Sequence, residues 1–287
     1  MIRPKNLILI TGYWLLFTSF ALAFDLKVSL DRSSVKQGQT FVAFVESSER
    51  LSELTGVFLE KEVKFYPWGY QSRGIFGVPL DTPEGRRSLF IRAVDSQGNI
   101  KEVEAVVTVL RGKFISESFI LPKAKVELLA PEIIEADWAK ISAVISKEAE
   151  EQIWRGKFKL PVRGKISMPF GTYQIINRQP AGRHQGVDIS GKAGALIRAT
   201  NEGMVVLAEK LLAHGHTVII DHGQGVFTMY LHLSKIKVKP GDRVSSGQVI
   251  GTMGTSGVSS GPHLHFGLSV HDVRVDPVQW VREKVAE

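Results

Sequence analysis

The chemistry-bearing side chains of this 287-residue chain are concentrated near its end. All eight histidines lie between His184 and His271, and there is no cysteine. Disulfides, thiol nucleophiles and sulfur-ligated metals are therefore excluded, and any bound metal must be held by imidazoles and carboxylates. In His184-Gln185-Gly186-Val187-Asp188, an imidazole and a carboxylate sit four residues apart. On a strand, an even spacing puts both on one face. Gly261-Pro262-His263-Leu264-His265-Phe266 places two more imidazoles at an i, i+2 spacing. His263 and His265 should share one strand face, with Leu264 and Phe266 on the other. Two histidines on one buried face would each need a partner for their ring nitrogens, so a ligand role fits them better than core packing. Met229-Tyr230-Leu231-His232-Leu233-Ser234 alternates in the same way. It predicts an apolar face of Met229, Leu231 and Leu233, and a polar cleft face of Tyr230, His232 and Ser234.

These three pieces, in this order, resemble the lysostaphin-like zinc metallopeptidases, which are peptidoglycan endopeptidases. The resemblance runs from about Leu160 to Trp280 and extends to the stretches 217–223, 238–244 and 247–251. It implies that His184, Asp188 and His265 are the zinc ligands and that His232 and His263 are the two further active-site histidines. Two imidazoles and one carboxylate would leave a fourth zinc position for water. The implied activity is zinc-dependent hydrolysis of peptide cross-links in bacterial peptidoglycan, with Zn2+ as cofactor and stem peptides as substrate. Cross-links containing D-Ala are the expected target, because the layout looks like that of periplasmic members. His216 stands where the family often has Asn, and Arg178 follows Asn177 where secreted members often have Gly; both are expected to be loop changes. His214, His216, His222 and His271 are expected to be solvent-exposed in turns. The Gly-rich stretch 251–261 is expected beside the site, where a peptide backbone could approach closely.

Two alternatives of other classes compete. Relatives that have lost metal ligands act as wall-binding activators of other hydrolases, but all five key positions are intact here. The 238–251 hairpin also resembles biotinyl or lipoyl carrier domains, yet the 251–255 turn carries no Lys to modify.

The elements that position these residues read as mainly β. Residues 24–110 show short β-rich runs at 28–30, 40–45, 88–94 and 102–110, separated by turn signals, which suggests an immunoglobulin-like β-sandwich. Residues 111–157 read as a linker containing a connecting helix over 131–154. Ile134, Trp138, Ile141 and Ile145 form one apolar stripe, and Gly156 supplies the stop. Residues 158–280 read as an antiparallel β metallopeptidase domain, with strands at 166–168, 204–208, 217–220, 227–233 and 248–250. The front half, residues 25–156, is expected to position or restrain the enzyme without joining the chemistry, and to be available for an envelope protein partner. A chain starting near Lys157 is then expected to fold and cut small peptides alone.

The first 23 residues carry Arg3 and Lys5, then an apolar run from Leu7 to Phe20 and Ala21-Leu22-Ala23. This is the pattern of a secretory signal peptide cleaved after Ala23. The mature protein is then expected in the periplasm or cell envelope, with no membrane attachment. Lys plus Arg outnumber Asp plus Glu by 36 to 29, which allows weak attraction to an anionic partner. Without a dense basic block interleaved with aromatics, nucleic acid is not an expected partner.

Overall fold

The computed structural model describes residues 24–285; the expected signal peptide at 1–23 lies outside them. No helix among the described residues is long and apolar enough to cross a membrane.

The front part is a two-sheet β-sandwich. One sheet holds four strands, including Leu26–Leu30, Thr40–Ser47 and Gln71–Gly77. The other holds five, with Leu51–Phe58, Gly85–Asp95 and Ile100–Leu110 at its centre. Alternate residues point inward, so Phe41, Phe58, Phe76, Leu89, Ile91 and Val107 fill the space between the sheets. Phe41 stacks on Phe76 with ring centroids 5.2 Å apart, and Phe58 meets it edge-on at 5.0 Å.

The back part is one sheet of ten antiparallel-paired strands. At its centre lie Val187–Ser190, His263–Val270, Val226–Ile236 and Gly215–Asp221, in that spatial order. One face packs a core that includes Val187, Ile189, Val218, Tyr230, Leu264 and Phe266. The other face forms the floor of the cleft described below.

The connecting helix spans Pro131–Ile145, with Pro131 at its first turn. Its stripe docks on the ten-stranded sheet: Ile141 and Ile145 are buried against Leu207, Ile219, Phe227 and Met229. Burial of each isoleucine contributes about 1.5–3 kcal/mol. The helix stops nine residues short of the expected end at 154. Glu148, Glu150 and Glu151 follow Ile145 and would set negative charge against the negative end of the helix dipole. The chain instead straps across the ten-stranded sheet. His271 Nδ1 lies 2.8 Å from Glu148, Gln224 N–H donates to the Ala149 carbonyl, and Trp154 packs edge-on against Trp280 at 6.1 Å.

The two parts are joined by more than a linker. Val42 and Ile75 of the sandwich pack with Trp154, Val226, Leu268 and Trp280. The terminal helix Pro277–Arg282, capped by the Asp276 side chain accepting from Val278 N–H, grips Thr40. Thr40 N–H donates to Gln279 Oε1 at 2.8 Å, Gln279 Nε2 donates back to the Thr40 carbonyl, and Trp280 Nε1 donates to the Thr40 hydroxyl. Ser116–Phe119 adds a parallel strand to the hairpin formed by Tyr173–Ile176 and Gln179–Arg183. That hairpin turns at Asn177 and Arg178, both with positive φ, so the Asn-Arg pair occupies a tight turn.

Candidate active site

Strand pairing brings the first two motifs together. Asp188 lies directly opposite His265, and Ser190 opposite His263. On the other side of that strand, His265 faces Leu231, one residue before His232. The His263–Val270 strand alternates as its sequence predicts: Leu264 and Phe266 enter the core, and both histidines face the cleft. His184 arrives from the loop before Val187. Its N–H donates to the Thr172 carbonyl, and its carbonyl accepts from Gly171 N–H.

Three donor atoms converge. His184 Nε2 lies 3.0 Å from Asp188 Oδ1 and 2.9 Å from His265 Nδ1, and His265 Nδ1 lies 3.0 Å from Asp188 Oδ1. His184 Nδ1 sits 3.0 Å from the Pro169 carbonyl. A carbonyl only accepts, so Nδ1 carries the proton and Nε2 offers its lone pair. A tetrahedral ion with ligands at about 2.0–2.1 Å sets its ligand atoms roughly 3.3 Å apart. The three atoms therefore fit a small divalent ion of the borderline kind that takes nitrogen and oxygen together. Gly186 is part of this geometry. A Cβ there would meet His265 Nε2 at 2.6 Å and the Phe266 carbonyl at 2.7 Å, so only glycine lets the ring pass.

The two other imidazoles stand beside this set. His263 Nδ1 faces the Gly261 carbonyl at 2.9 Å, and its Nε2 lies 3.7 Å from Asp188 Oδ2. His232 Nδ1 faces the Ser256 carbonyl at 2.8 Å. The two rings meet edge-on, 5.0 Å between centroids. Each ring is thus fixed through Nδ1, leaving Nε2 as its free working atom.

Comparison with known proteins bears on this arrangement. The model of peptidase family M23 matches residues 182–277. A crystal structure described as a peptidase M23 from Pseudomonas aeruginosa is 30% identical, covering 84% of this chain and 92% of that one, with a TM-score of 0.63. The chain belongs to peptidase family M23. Among curated relatives, this M23 peptidase is similar to the peptidoglycan DD-endopeptidase ShyA of Vibrio cholerae, at 44% identity over 87 residues, 30% of this chain and 20% of that protein. It is also similar to the DD-carboxypeptidase/endopeptidase Mpg of Neisseria meningitidis, at 35% over 114 residues, 40% of this chain and 26% of that protein. The chain spans less than a third of the length of the first curated relatives it matches.

The electrostatics of the M23 site favour ligand-ready protonation states. Burial alone would raise the Asp188 carboxyl, but the His184 and His265 imidazoles outweigh it and hold it well below the ordinary carboxylate range. Burial pushes His265 down to about 4. Burial, followed by the nearby His263 and His265, pushes His232 well below its ordinary value. The site thus presents an ionised Asp188 carboxylate and neutral His265 and His232 imidazoles at neutral pH, the deprotonated forms that metal ligation and proton acceptance require.

The site opens into a cleft of about 590 Å³. The linker forms part of its wall: Ser118 and Phe119 from the added strand, and Trp138 and Ile141 from the connecting helix. Residues 258–262 of the Gly-rich loop also line it, and Lys125 Nζ of the linker donates to the Thr255 and Gly257 carbonyls of that loop. The front half is therefore not remote from the site.

Several expectations need correction. Tyr230 does not face the cleft. An extra residue in the Val226–Ile236 strand, marked by the register shift against 216–218, puts His232 at φ +61° and resets the alternation. Tyr230 and Leu233 then share one core, and the Tyr230 hydroxyl is satisfied by Thr200 and Thr228. The remaining histidines are not exposed. His222 is fully buried, with Nδ1 2.6 Å from the Glu202 carbonyl and Nε2 2.7 Å from the Thr228 hydroxyl. His271 is buried beside Glu148, and His216 lies in a strand with Nδ1 facing the Leu233 carbonyl. His214 is half-buried against Asp137. None of these four joins the three-atom set. Asp137, one residue before Trp138, is buried although the apolar stripe does not mark it and Glu132 and Glu135 of the same helix stay exposed. Its carboxylate accepts from the backbone N–H groups of Leu212, Ala213 and His214.

Proposed function

We propose that this M23 peptidase is a zinc-dependent endopeptidase that hydrolyses peptide cross-links of bacterial peptidoglycan. The observation that carries the reading is the convergence of His184 Nε2, Asp188 Oδ1 and His265 Nδ1 within about 3 Å of one another, with two further imidazoles alongside. We assign those three residues as zinc ligands and His232 and His263 as the acid–base pair. Zinc held there would polarise the scissile carbonyl and lower the pKa of water to roughly 7. The protein residues do the rest. Nε2 of His263 or His232 takes the proton of the attacking water and returns one to the leaving amine. Whichever imidazole carries a proton also donates toward the developing oxyanion. The carbonyls of Gly261 and Ser256 keep both rings in the tautomer that leaves Nε2 available.

Relatives named as peptidoglycan DD-endopeptidases support D-Ala-containing cross-links as the target and the envelope outside the cytoplasm as the place of action. All five site residues are present, and no feature of the site favours a non-catalytic activator. We further propose the catalytic domain as residues 158–280, with residues 24–110 a separate sandwich module that regulates access or contacts an envelope partner. The direct test is metal stoichiometry together with cleavage. Protein never exposed to chelator should carry about one zinc per chain and split soluble cross-linked peptides. A chain without transition metal that still cleaves would sink the reading.

A further inference from the structure

Two arginines in the cleft wall are stacked into place yet left short of partners. Arg183 packs on the rings of Tyr173 and Phe114, with its guanidinium carbon 4.1 and 4.3 Å from their centroids. Its Nε donates to the Gly171 carbonyl and its Nη1 to Asp81, whereas Nη2 is buried without a hydrogen-bond partner. Arg274 lies over Trp138 at 4.8 Å, and its Nη1 is likewise buried without a partner. The two side chains line the same space. Both face the cleft that holds His184, Asp188 and His265, and both face a second cavity of about 560 Å³ reaching the sandwich loop at Pro79–Asp81.

The chemistry of that space narrows its occupant. Two aromatic rings pack against the Arg183 guanidinium and one against that of Arg274, which leaves their unpaired N–H groups as the polar contact. A planar guanidinium edge matches a carboxylate, which can accept two parallel hydrogen bonds. Buried donors without acceptors are unfavourable in the free protein and gain most when an anion arrives. Asp81 and Asp272 are the nearby acids. Asp81 is 82% exposed and already shared with Nη1 of Arg183, and Asp272 is exposed and accepts from neither arginine. Burial pushes Arg274 down to about 10, which leaves it cationic at neutral pH but poorly solvated.

We propose that Arg183 and Arg274 form a carboxylate-binding subsite that anchors a free carboxylate of the peptide lying in the cleft, and so sets specificity for acidic over amidated stem peptides. This rests on the peptidase reading above. Neither arginine touches the reacting atoms; they hold the substrate. The linker takes part, because Trp138 of the connecting helix and Phe114 supply two of the three stacking rings.

The test compares one soluble cross-linked peptide with its carboxylates free and the same peptide amidated by carbodiimide and ammonia. Wild type should prefer the free acid by about 10- to 100-fold in kcat/KM, the scale set by leaving buried charged donors unpaired. R274Q should lose most of that preference with metal content unchanged. R274K, which keeps charge without the planar edge, should fall between. Calorimetric binding of an uncross-linked stem peptide, free against amidated, should show the same ranking without any turnover. Equal rates and equal binding of the two peptides by wild type would overturn the subsite, as would full preference retained in R274Q. If metal-replete wild type binds the acid in an Arg274-dependent way yet cuts nothing, the subsite stands and the peptidase reading fails. If it neither binds nor cuts, both fail.

Discussion

Asp137 offers a sharp test of how the connecting helix serves the site. Its side chain is 5% exposed and gathers a turn of the catalytic domain around it. Oδ1 accepts from Leu212 N–H at 3.1 Å; Oδ2 accepts from Ala213 N–H at 2.8 Å, from His214 N–H at 3.1 Å and from His214 Nδ1 at 2.8 Å. The same turn supports the active site, because the His214 carbonyl accepts from His232 N–H at 3.1 Å, where the backbone is in the left-handed region. Asp137→Ala removes every acceptor at once. Leu212 is exposed, so its N–H can turn to water, but Ala213 is buried and its N–H would be orphaned. One orphaned buried donor together with lost bonds to a charged acceptor costs about 2–4 kcal/mol. Asp137→Asn keeps one oxygen and turns an amide toward donors at the other, so it should cost about half as much. Urea unfolding of the full chain measures both, and peptide cleavage should fall as the turn beneath His232 loosens. The carboxyl also sets a pH signature. Burial would raise its pKa, but the His214 side chain and the three backbone donors outweigh burial and hold it below 3.8. A folded-state pKa below the unfolded one gives stability that is present above pH 3.8 and lost as pH falls through the folded value. Wild type should therefore lose its advantage over Asp137→Ala only in strong acid. An Asp137→Ala protein within about 0.5 kcal/mol of wild type, the scatter of ordinary surface changes, would refute this account of the helix.

Further outcomes follow from the same geometry. His184→Ala and Asp188→Ala should lose both metal and activity, whereas His263→Ala should keep metal by elemental analysis and lose about 10²–10⁴-fold in rate; metal loss in His263→Ala would reassign its role. Gly186→Ala should displace the His265 ring and weaken metal retention in a competition assay, with little change in the sandwich domain; unchanged retention would show that the ring can shift freely. His222 is pushed from 6.5 to about 4 by burial, so the folded state resists a proton that the unfolded chain accepts. Wild type should lose stability relative to His222→Asn by up to about 1.4 kcal/mol per pH unit as pH falls from 6.5 toward 4. Asp221, raised to about 6 mainly by burial, contributes the opposite slope to both proteins and cancels in the difference.

The site was legible because strand geometry is periodic. The i, i+2 spacing of His263 and His265 becomes a cluster once Asp188 pairs with His265, and Leu264 and Phe266 declare the core face; His184 joins from the loop before Val187, where the even 184–188 spacing has no strand to act through. Tyr230 was misread because one extra residue in its strand inverts the pattern, and only the partner strand reveals it. The connecting helix ends well before the Gly156 stop because Glu148, Glu150 and Glu151 would sit against the negative end of its dipole, a charge signal that the apolar stripe does not carry. The parallel strand Ser116–Phe119 carries no alternation of apolar and polar residues; it exists because the Tyr173–Arg183 hairpin offers it an edge. Its position, with that of Trp138, changes the expectation for the front half. A chain starting at Lys157 would lose part of the cleft wall and expose Ile219, Met229 and Leu231, so reduced solubility and weaker peptide binding are expected of it.

The central claim is tested most directly by digesting purified cross-linked peptidoglycan fragments with metal-replete protein and weighing the products by mass spectrometry, with Asp188→Ala as the control. The account predicts that wild type splits the peptide cross-link by addition of one water, leaves the glycan strand intact and releases fragments ending in D-Ala, while the control releases none. Cross-links left whole by zinc-loaded wild type, or the same products from Asp188→Ala, would contradict it.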